Sequence, residues 1–353
     1  MERQTKGKTY KDYIRFKILF LVALVFVAFA AIVLDIAIGS SGMTLWDVIR
    51  AIFGFGDKKM NVIVWNMRMP RVATAFVAGL GLAMVGTVLQ SALRNPLADA
   101  STLGVSQGAA FGAAFAIVVL GSGMQSPSDA SISLSNPVMI STCAFISSIF
   151  PTIVIIGMSR SRNARPETMI LTGVALGALF SGGTAIIQYF ADTTQLGSIV
   201  FWTLGSLSST TWREVGIMAV VVAATGVYFY CNRWGYNVLL GGENTAKALG
   251  VNTGQLTIIS MILCSLTASV ITSYIGILNF IGLVAPHLMR KVIGNDYRYL
   301  LPVSALAGTS VLLLSDTLSR SILSPQVLPI GAITSFIGAP IFLMLIHKGG
   351  RRK

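Results

Sequence analysis

Long apolar segments, most of them near 20 residues, are the feature that most restricts the fold of this chain. One runs over 16–38, and nine more follow along the 353 residues, at 70–91, 102–120, 137–158, 168–190, 213–231, 255–275, 279–293, 299–318 and 329–346. A helix needs about 20 mostly apolar residues to cross a bilayer. Charged residues make up 11% of the chain, against roughly 25% in soluble proteins. The sequence therefore predicts an all-α polytopic membrane protein with about ten transmembrane helices.

Two of these segments, and one stretch outside them, are less regular than the rest. Segment 16–38 follows a basic stretch, as in a secretory signal peptide, but its apolar run exceeds the roughly 7–15 residues of such peptides, so we expect an uncleaved helix. Segment 279–293 is short and contains Pro286. Segment 196–210 is too short and polar to span and is expected to form a re-entrant or interfacial turn. The predicted organisation is a basic N-terminal segment 1–15, one transmembrane domain 16–346 and a basic tail 347–353.

Positive charge distinguishes the two sides of the membrane. The formal net charge is +13, from 26 Lys and Arg against 13 Asp and Glu. With ten helices, 19 of those 26 basic residues fall on the side of the two termini and the other 7 on the opposite side. Because cytoplasmic loops are enriched in Lys and Arg, both termini are predicted to be cytoplasmic, in a protein of the cell membrane. The charge is dispersed over loops and tails, so we expect membrane lipid and no nucleic acid as a partner.

Glycines recur at helical spacing in two of the segments. Gly104, Gly108 and Gly112 lie four residues apart, and so do Gly173 and Gly177. Helices in lipid associate through close backbone approach, because lipid tails leave no hydrophobic drive between helices. We expect these glycines to form close helix contacts. The alternative is that they line a wide substrate path.

The centres of the predicted spans hold no carboxylate or basic residue. Asp35 and Asp316 are expected near outer ends, where Arg320, one helical turn beyond Asp316, can neutralise it. An ion-coupled transporter usually carries an ionisable relay within the membrane, so this pattern disfavours one.

No motif in the chain supplies catalysis or energy. Gly7-Lys8-Thr9 resembles the end of a phosphate-binding loop, but Glu2 stands where the earlier glycine is required. The three cysteines are isolated, and no catalytic or metal-binding motif occurs. We therefore expect a non-enzymatic chain without a metal or cofactor, driven by another subunit if it pumps.

The loop 232–254 is predicted to contain a short helix with a possible role in coupling. The helix has an acid at its start, a lysine in its last turn and a glycine as its stop. The residues in question are Glu243, Ala246, Lys247, Leu249 and Gly250. One interpretation is an ordinary amphipathic connector; the other is a helix that docks into a cytoplasmic motor.

Several motifs occur in order over most of 68–346. They are Arg68-Met-Pro-Arg71, Gln90-xxx-Arg94-Asn-Pro-Leu-Ala-Asp99-xxx-Leu103-Gly-Val-Ser-Gln-Gly108, Leu171-Thr-Gly-Val-Ala-Leu-Gly177, Phe201-Trp-Thr-Leu-Gly-Ser-Leu207, Phe280-Ile-Gly-Leu-Val-Ala-Pro-His287, Leu314-Ser-Asp-Thr-Leu-Ser-Arg320 and Leu328-Pro-Ile-Gly-Ala-Ile-Thr-Ser-Phe-Ile-Gly-Ala-Pro340. Together they resemble one family, the FecCD-type permeases, which are membrane subunits of type II ABC importers for iron–siderophores, haem and vitamin B12.

The resemblance implies an assembly and roles for matching residues. The expected partners are a second permease subunit in a homodimer, two cytoplasmic ATPases that bind ATP and Mg²⁺, and an extracytoplasmic binding protein. Arg68, Arg71 and Arg320 would meet acidic residues of the binding protein; the alternative is that they are interfacial anchors at lipid phosphate. Asn95 and Leu97 would form a cytoplasmic gate; the alternative is an ordinary helix-ending turn.

The resulting functional hypothesis is import of a metal chelate (iron–siderophore, haem or corrinoid) by alternating access. An ion-coupled secondary transporter and a non-transporting membrane scaffold are the alternatives. The sequence does not identify the chelate, because the resemblance assigns specificity largely to the binding protein.

Overall fold

The computed structural model describes residues 10–38, 43, 45–122, 136–159, 166–324 and 326–350. Within these ranges the chain is helical and contains no strand. The helices are α1 (Tyr10–Ala37), α2 (Leu45–Ile52), α3 (Lys58–Ile63), a π-helical segment (Val64–Arg68), α4 (Met69–Ala92), a 3-10 turn (Ser101–Leu103), α5 (Val105–Val118), α6 (Pro137–Ser159), α7 (Pro166–Phe190), α8 (Thr193–Thr203), α9 (Trp212–Cys231), α10 (Arg233–Leu239), α11 (Glu243–Ala248), α12 (Thr253–Ile275), α13 (Ile281–Ile293), α14 (Tyr297–Ser321) and α15 (Ile330–Gly350). Most of the predicted segment 1–15, and 351–353 of the tail, lie outside the described residues.

Each of the ten predicted segments contains a helix, which confirms the all-α membrane class. Seven helices of the described chain are long and apolar enough to cross a membrane, so ten crossings stay a prediction. α5 and α13 are shorter than segments 102–120 and 279–293, because a non-helical connection precedes each. Segment 196–210 is not a simple turn, since its first half belongs to α8.

The bundle has two opposite ends, which α1 defines. Its 28 residues span about 42 Å at 1.5 Å per residue. Near its start, Lys17 lies 3.8 Å from Asp296, at the end of the bundle that also holds α11. Near its other end, Asp35 pairs with Arg320. We call these the α11 end and the arginine end.

Helix α4 is the centre of the bundle, and glycines bring its neighbours against its backbone. A Cβ atom at Gly79 would lie 2.6 Å from the Cα of Thr309 in α14. One at Gly86 would overlap the backbone of Gly282 in α13. Since real Cβ atoms essentially never approach so closely, α4 can hold these two helices only where it carries glycine.

The five glycines that the sequence analysis singled out lie where α5, α6 and α7 meet. A Cβ at Gly108 would lie 2.5 Å from the carbonyl oxygen of Ser147, and one at Gly112 would overlap that of Cys143. A Cβ at Gly173 would overlap the backbone at Thr102. The other two of the five glycines, Gly104 and Gly177, do not make such overlapping contacts. Gly104 adopts a left-handed φ of 80° at the start of α5, and Gly177 has ordinary space beside Gln107.

The connections before α5 and α13 enter the bundle from opposite ends. The connection 93–104 starts at the α11 end, where Arg94 contacts Glu243. The connection 276–280 starts at the arginine end, where Gly276 packs against the backbone of Trp202. The two meet inside the bundle, because a Cβ at Gly282 would lie 2.6 Å from a carboxylate oxygen of Asp99.

We predict that Gly112→Ala lowers the free energy of unfolding by about 1–3 kcal/mol, the usual cost of overpacking a close contact. Thermal unfolding of the purified protein in detergent measures this. Gly157→Ala in α6 is the matched control, because a Cβ there meets nothing within 4 Å. Its unfolding temperature should not fall, since alanine favours a helix over glycine. Equal temperatures for both variants would contradict the close α5–α6 contact.

Candidate functional site

The arginine end holds a cluster of buried charges from three helices. Arg71 of α4 donates to both carboxylate oxygens of Asp316, with Nε–Oδ2 at 2.8 Å and Nη2–Oδ1 at 2.6 Å. Arg320 of α14 lies 3.1 Å from the same carboxylate and also pairs with Asp35 of α1. Both carboxylates are fully buried. Buried charges are stable only when they are paired and hydrogen-bonded, and here each carboxylate meets guanidinium groups.

Two arginines of this end also cap α1. Arg68 Nη1 donates to the carbonyl oxygens of Ile36 at 2.7 Å and Ala37 at 3.3 Å. Arg320 donates to those of Asp35 at 2.8 Å and Ile38 at 2.6 Å. The last carbonyls of a helix have no partner within it, so these bonds satisfy groups that lipid could not. The two arginines therefore fasten the end of α1 to α4 and α14.

The three arginines predicted to dock a binding protein lie together at one end of the bundle. Each of them is already bonded to carboxylates or carbonyl oxygens of this chain. Arg68 and Arg320 are 6% and 7% exposed. The side chain of Arg71 is 11% exposed and also donates from Nη1 to Ser208 Oγ at 2.6 Å. The contact of Arg320 with Asp316 was expected from their spacing on one helix. The pairing of Arg320 with Asp35 of α1 was not expected. Docking by these residues stays a prediction, with Arg71 the most accessible of the three.

The predicted gate residues lie in a tight turn after α4, at the α11 end. Arg94 takes a left-handed φ of 48°. The Asn95 Oδ1 accepts from the backbone N–H of Leu97 at 2.8 Å, which closes an Asx turn. The Leu97 side chain is 47% exposed. The asparagine stabilises the turn, and the leucine projects from it.

Asp99, two residues beyond the turn of Asn95 and Leu97, is a buried carboxyl that was not assigned a role from the sequence. Its Oδ1 accepts from the backbone N–H of Ala100 at 2.6 Å. It lies against Gly282, at the meeting point of the two non-helical connections.

The predicted coupling helix forms as α11, six residues long, between two glycines of positive φ, Gly242 and Gly250. The Glu243 carboxylate lies 2.9 Å from Lys247 Nζ and 3.1 Å from Arg94 Nη2. Both cations lower the pKa of the Glu243 carboxyl, and Lys247 has the larger effect. Ala246 is buried against the bundle, whereas Leu249 is 54% exposed. The contact with Arg94 joins α11 to the gate turn directly.

The amino-acid sequence of this chain is similar to those of known transport proteins. The FecCD transport family matches residues 24–348 of the chain. A protein of Methanocaldococcus jannaschii named as an ABC transporter permease is 44% identical over 343 residues, which cover 97% of this chain and 98% of that relative. The hemin transport system permease protein HmuU of Yersinia pestis is 33% identical over 320 residues, which cover 89% of this chain and 92% of HmuU.

Comparison with solved structures agrees. One described as an inward-facing conformation of a metal-chelate type ABC transporter superposes with a TM-score of 0.80 at 29% identity and covers 93% of this chain and 98% of that one. The match therefore extends over nearly the whole bundle, from α1 to α15. The chain belongs to the FecCD transport family and is a multi-pass transport permease of the cell membrane.

Proposed function

We propose that this chain is the permease of an ATP-driven importer that carries a metal chelate (iron–siderophore, haem or corrinoid) into the cell by alternating access. The observation that carries the proposal is the 3.1 Å contact between Arg94 and Glu243, which joins α11 to the turn of Asn95 and Leu97. A movement imposed on α11 by an ATPase reaches the gate turn through this contact. ATP and Mg²⁺ bind to the ATPase and not to this chain.

The complete importer contains two copies of this permease, two cytoplasmic ATPases and one extracytoplasmic binding protein. The α11 end faces the cytoplasm in this arrangement, with both termini on that side. Basic residues support the orientation, because 19 of the 26 Lys and Arg residues fall on the side of the two termini when ten helices cross the membrane.

The distribution of charge argues against an ion-coupled secondary transporter. Asp35 and Asp316 lie at the arginine end and are occupied by Arg71 and Arg320. Asp99, the third buried carboxyl among the described residues, lies in a connection rather than in a spanning helix and accepts from the backbone N–H of Ala100. A relay for protons or sodium ions needs an ionisable group along the path. A non-transporting scaffold, the other alternative, gives no reason for α11 to contact the gate turn.

Docking of the binding protein is assigned to the arginine end. Arg71 is the arginine of the cluster that reaches furthest toward solvent, and it touches Ser208 in the turn between α8 and α9. A carboxylate of the binding protein would reach Arg71 from outside while Asp316 holds it from within. Charges at the rim of an interface act mainly on orientation and on the rate of encounter.

The first test is uptake in proteoliposomes that contain the permease, its ATPases and its binding protein. We expect ATP-dependent accumulation of haemin, a ferric hydroxamate siderophore or cyanocobalamin, and its loss when the catalytic residues of the ATPase are substituted. Uptake that persists with the disabled ATPase would overturn the proposal. Uptake driven by an ion gradient instead would support the secondary transporter.

The second test compares Arg71→Gln with Asp316→Asn, which break the same ion pair from its two sides. Arg71→Gln removes the positive charge, so we expect about tenfold weaker affinity for the immobilised binding protein, with most of the loss in the association rate. Asp316→Asn keeps that charge and should not weaken docking. Equal losses in both variants would show that the pair only holds α4 to α14.

The third test concerns transmission from α11. We expect Arg94→Gln to lower the amount of chelate imported per ATP hydrolysed several-fold, because it removes the link to the gate turn. Lys247→Gln is the control, since it removes the other partner of Glu243 and leaves the Arg94 contact in place. Unchanged coupling in Arg94→Gln, or equal losses in both variants, would contradict this role.

A further inference from the structure

A half-open cavity of about 260 Å³ lies on the side of the bundle, between α5, α7 and the connection 276–280. Its polar lining comes from three separate stretches of the chain. These are Ser106 and Gln107 in the first turn of α5, Ser181 and Thr184 in α7, and Asn279 in the connection. None of its lining residues is charged. Five hydrogen-bonding side chains thus converge on one space within an otherwise apolar helical bundle.

The cavity lies within the thickness of the membrane. α13 has 13 residues, which span about 20 Å, so its first residue lies well inside a hydrocarbon core of about 30 Å. The connection before it is not helical, and both Gly276 and Phe280 have a positive φ. This backbone conformation is strained for Phe280, because it is not a glycine. Non-helical backbone at this depth is tolerated where it is buried or lines a cavity, and interrupted helices of transporters mark substrate sites.

Gln107 carries an unused acceptor in this region. Its Oε1 is buried and has no hydrogen-bond partner among the described residues. Burying an amide oxygen without a hydrogen bond costs free energy. We therefore expect a hydrogen-bond donor to reach this oxygen during the transport cycle. Gly177 of α7 keeps room beside it, because a Cβ there would lie 3.5 Å from the Gln107 Cδ. Thr184 donates to Phe180 O at 2.8 Å, so its lone pairs remain free to accept.

The cavity opens toward the exposed side of α7. Ser181 is exposed, and Val174, two turns before it on the same face of α7, is 56% exposed. A ligand that passes along this face of α7 therefore lies beside the mouth of the cavity. The volume is below the roughly 300–1,000 Å³ of pockets that enclose a whole small molecule, so it accommodates one peripheral group.

We propose that this cavity is a contact site for the chelate during its passage, where Gln107 and Asn279 exchange hydrogen bonds with peripheral oxygen and N–H groups of the chelate. The inference rests on the proposed function as an importer. Amides and hydroxyls both donate and accept, so they fit hydroxamate, carboxylate or amide groups without selecting one. The absence of charge in the lining keeps the contact weak, as passage through a path requires.

The test uses the full complex in proteoliposomes, with haemin, a ferric hydroxamate siderophore and cyanocobalamin as probes. Gln107→Leu and Asn279→Leu keep similar volume and remove the hydrogen-bonding groups. For the probe that the wild-type complex imports, we expect each variant to lower the uptake rate about fivefold, as for one lost hydrogen bond. ATPase activity stimulated by the loaded binding protein should stay within twofold, because docking and α11 are untouched.

Two further variants separate contact with the chelate from a structural role. Gln255→Leu makes the same change at an exposed position of α12, away from the cavity and from α7, and should leave uptake unchanged. Asn279→Gln, which keeps an amide, should retain most of it. Wild-type uptake together with unaltered rates in both leucine variants overturns the contact site and leaves the proposed function intact. Absence of ATP-dependent uptake by the wild-type complex overturns both.

Discussion

Close approach of helix backbones at glycine is the interaction on which the rest of this structure depends. Lipid offers no hydrophobic drive for helices to associate, so contact between them must be dense to be stable. Gly79 and Gly86 let α14 and α13 reach the backbone of α4, and Gly108 and Gly112 do the same between α5 and α6. Arg71 and the gate turn follow from this, since they lie at the two ends of the same central helix. A rigid α4 connects the arginine end, the proposed docking surface, to the turn of Asn95 and Leu97, the proposed gate.

The charged side chains of the arginine end stabilise the contact of α1 with the rest of the bundle. α1 exposes most of its side chains, and only 17% of its most apolar stretch is buried. Its far end is held because Arg68 and Arg320 satisfy its last carbonyls and Asp35 meets Arg320. Docking through Arg71 is compatible with this arrangement, because Arg71 does not cap α1. The same cluster can therefore hold the helices together and present one cation to a carboxylate outside.

Much of the fold followed from composition and spacing, because the bilayer restricts a long apolar segment to one structure. The helical segments, the glycine contacts of α5 and the short helix α11 were of this kind. The interruption at 276–280 was predicted in part: segments 255–275 and 279–293 leave a break at Gly276, where α12 does end. Its extension to Asn279 and Phe280 was not predicted, since these residues carry no proline or charge that distinguishes them from helix. α8 begins at a capping box of Asp192 and Gln195, a local signal that the sequence contained and the analysis overlooked. The pairing of Asp35 with Arg320 joins residues 285 positions apart, which spacing along one helix cannot reveal.

The two non-helical connections place backbone polar groups at a depth where lipid offers them no hydrogen bond. α5 and α13 each cover only about 20 Å of a core of about 30 Å, so the chain around their first residues lies within the membrane. Where Asp99 lies against Gly282, the protein itself supplies the partners, and the N–H of Ala100 finds one in the Asp99 carboxylate. A substitution here leaves a buried backbone group without a partner, so this place tolerates sequence change less well than the regular helices beside it.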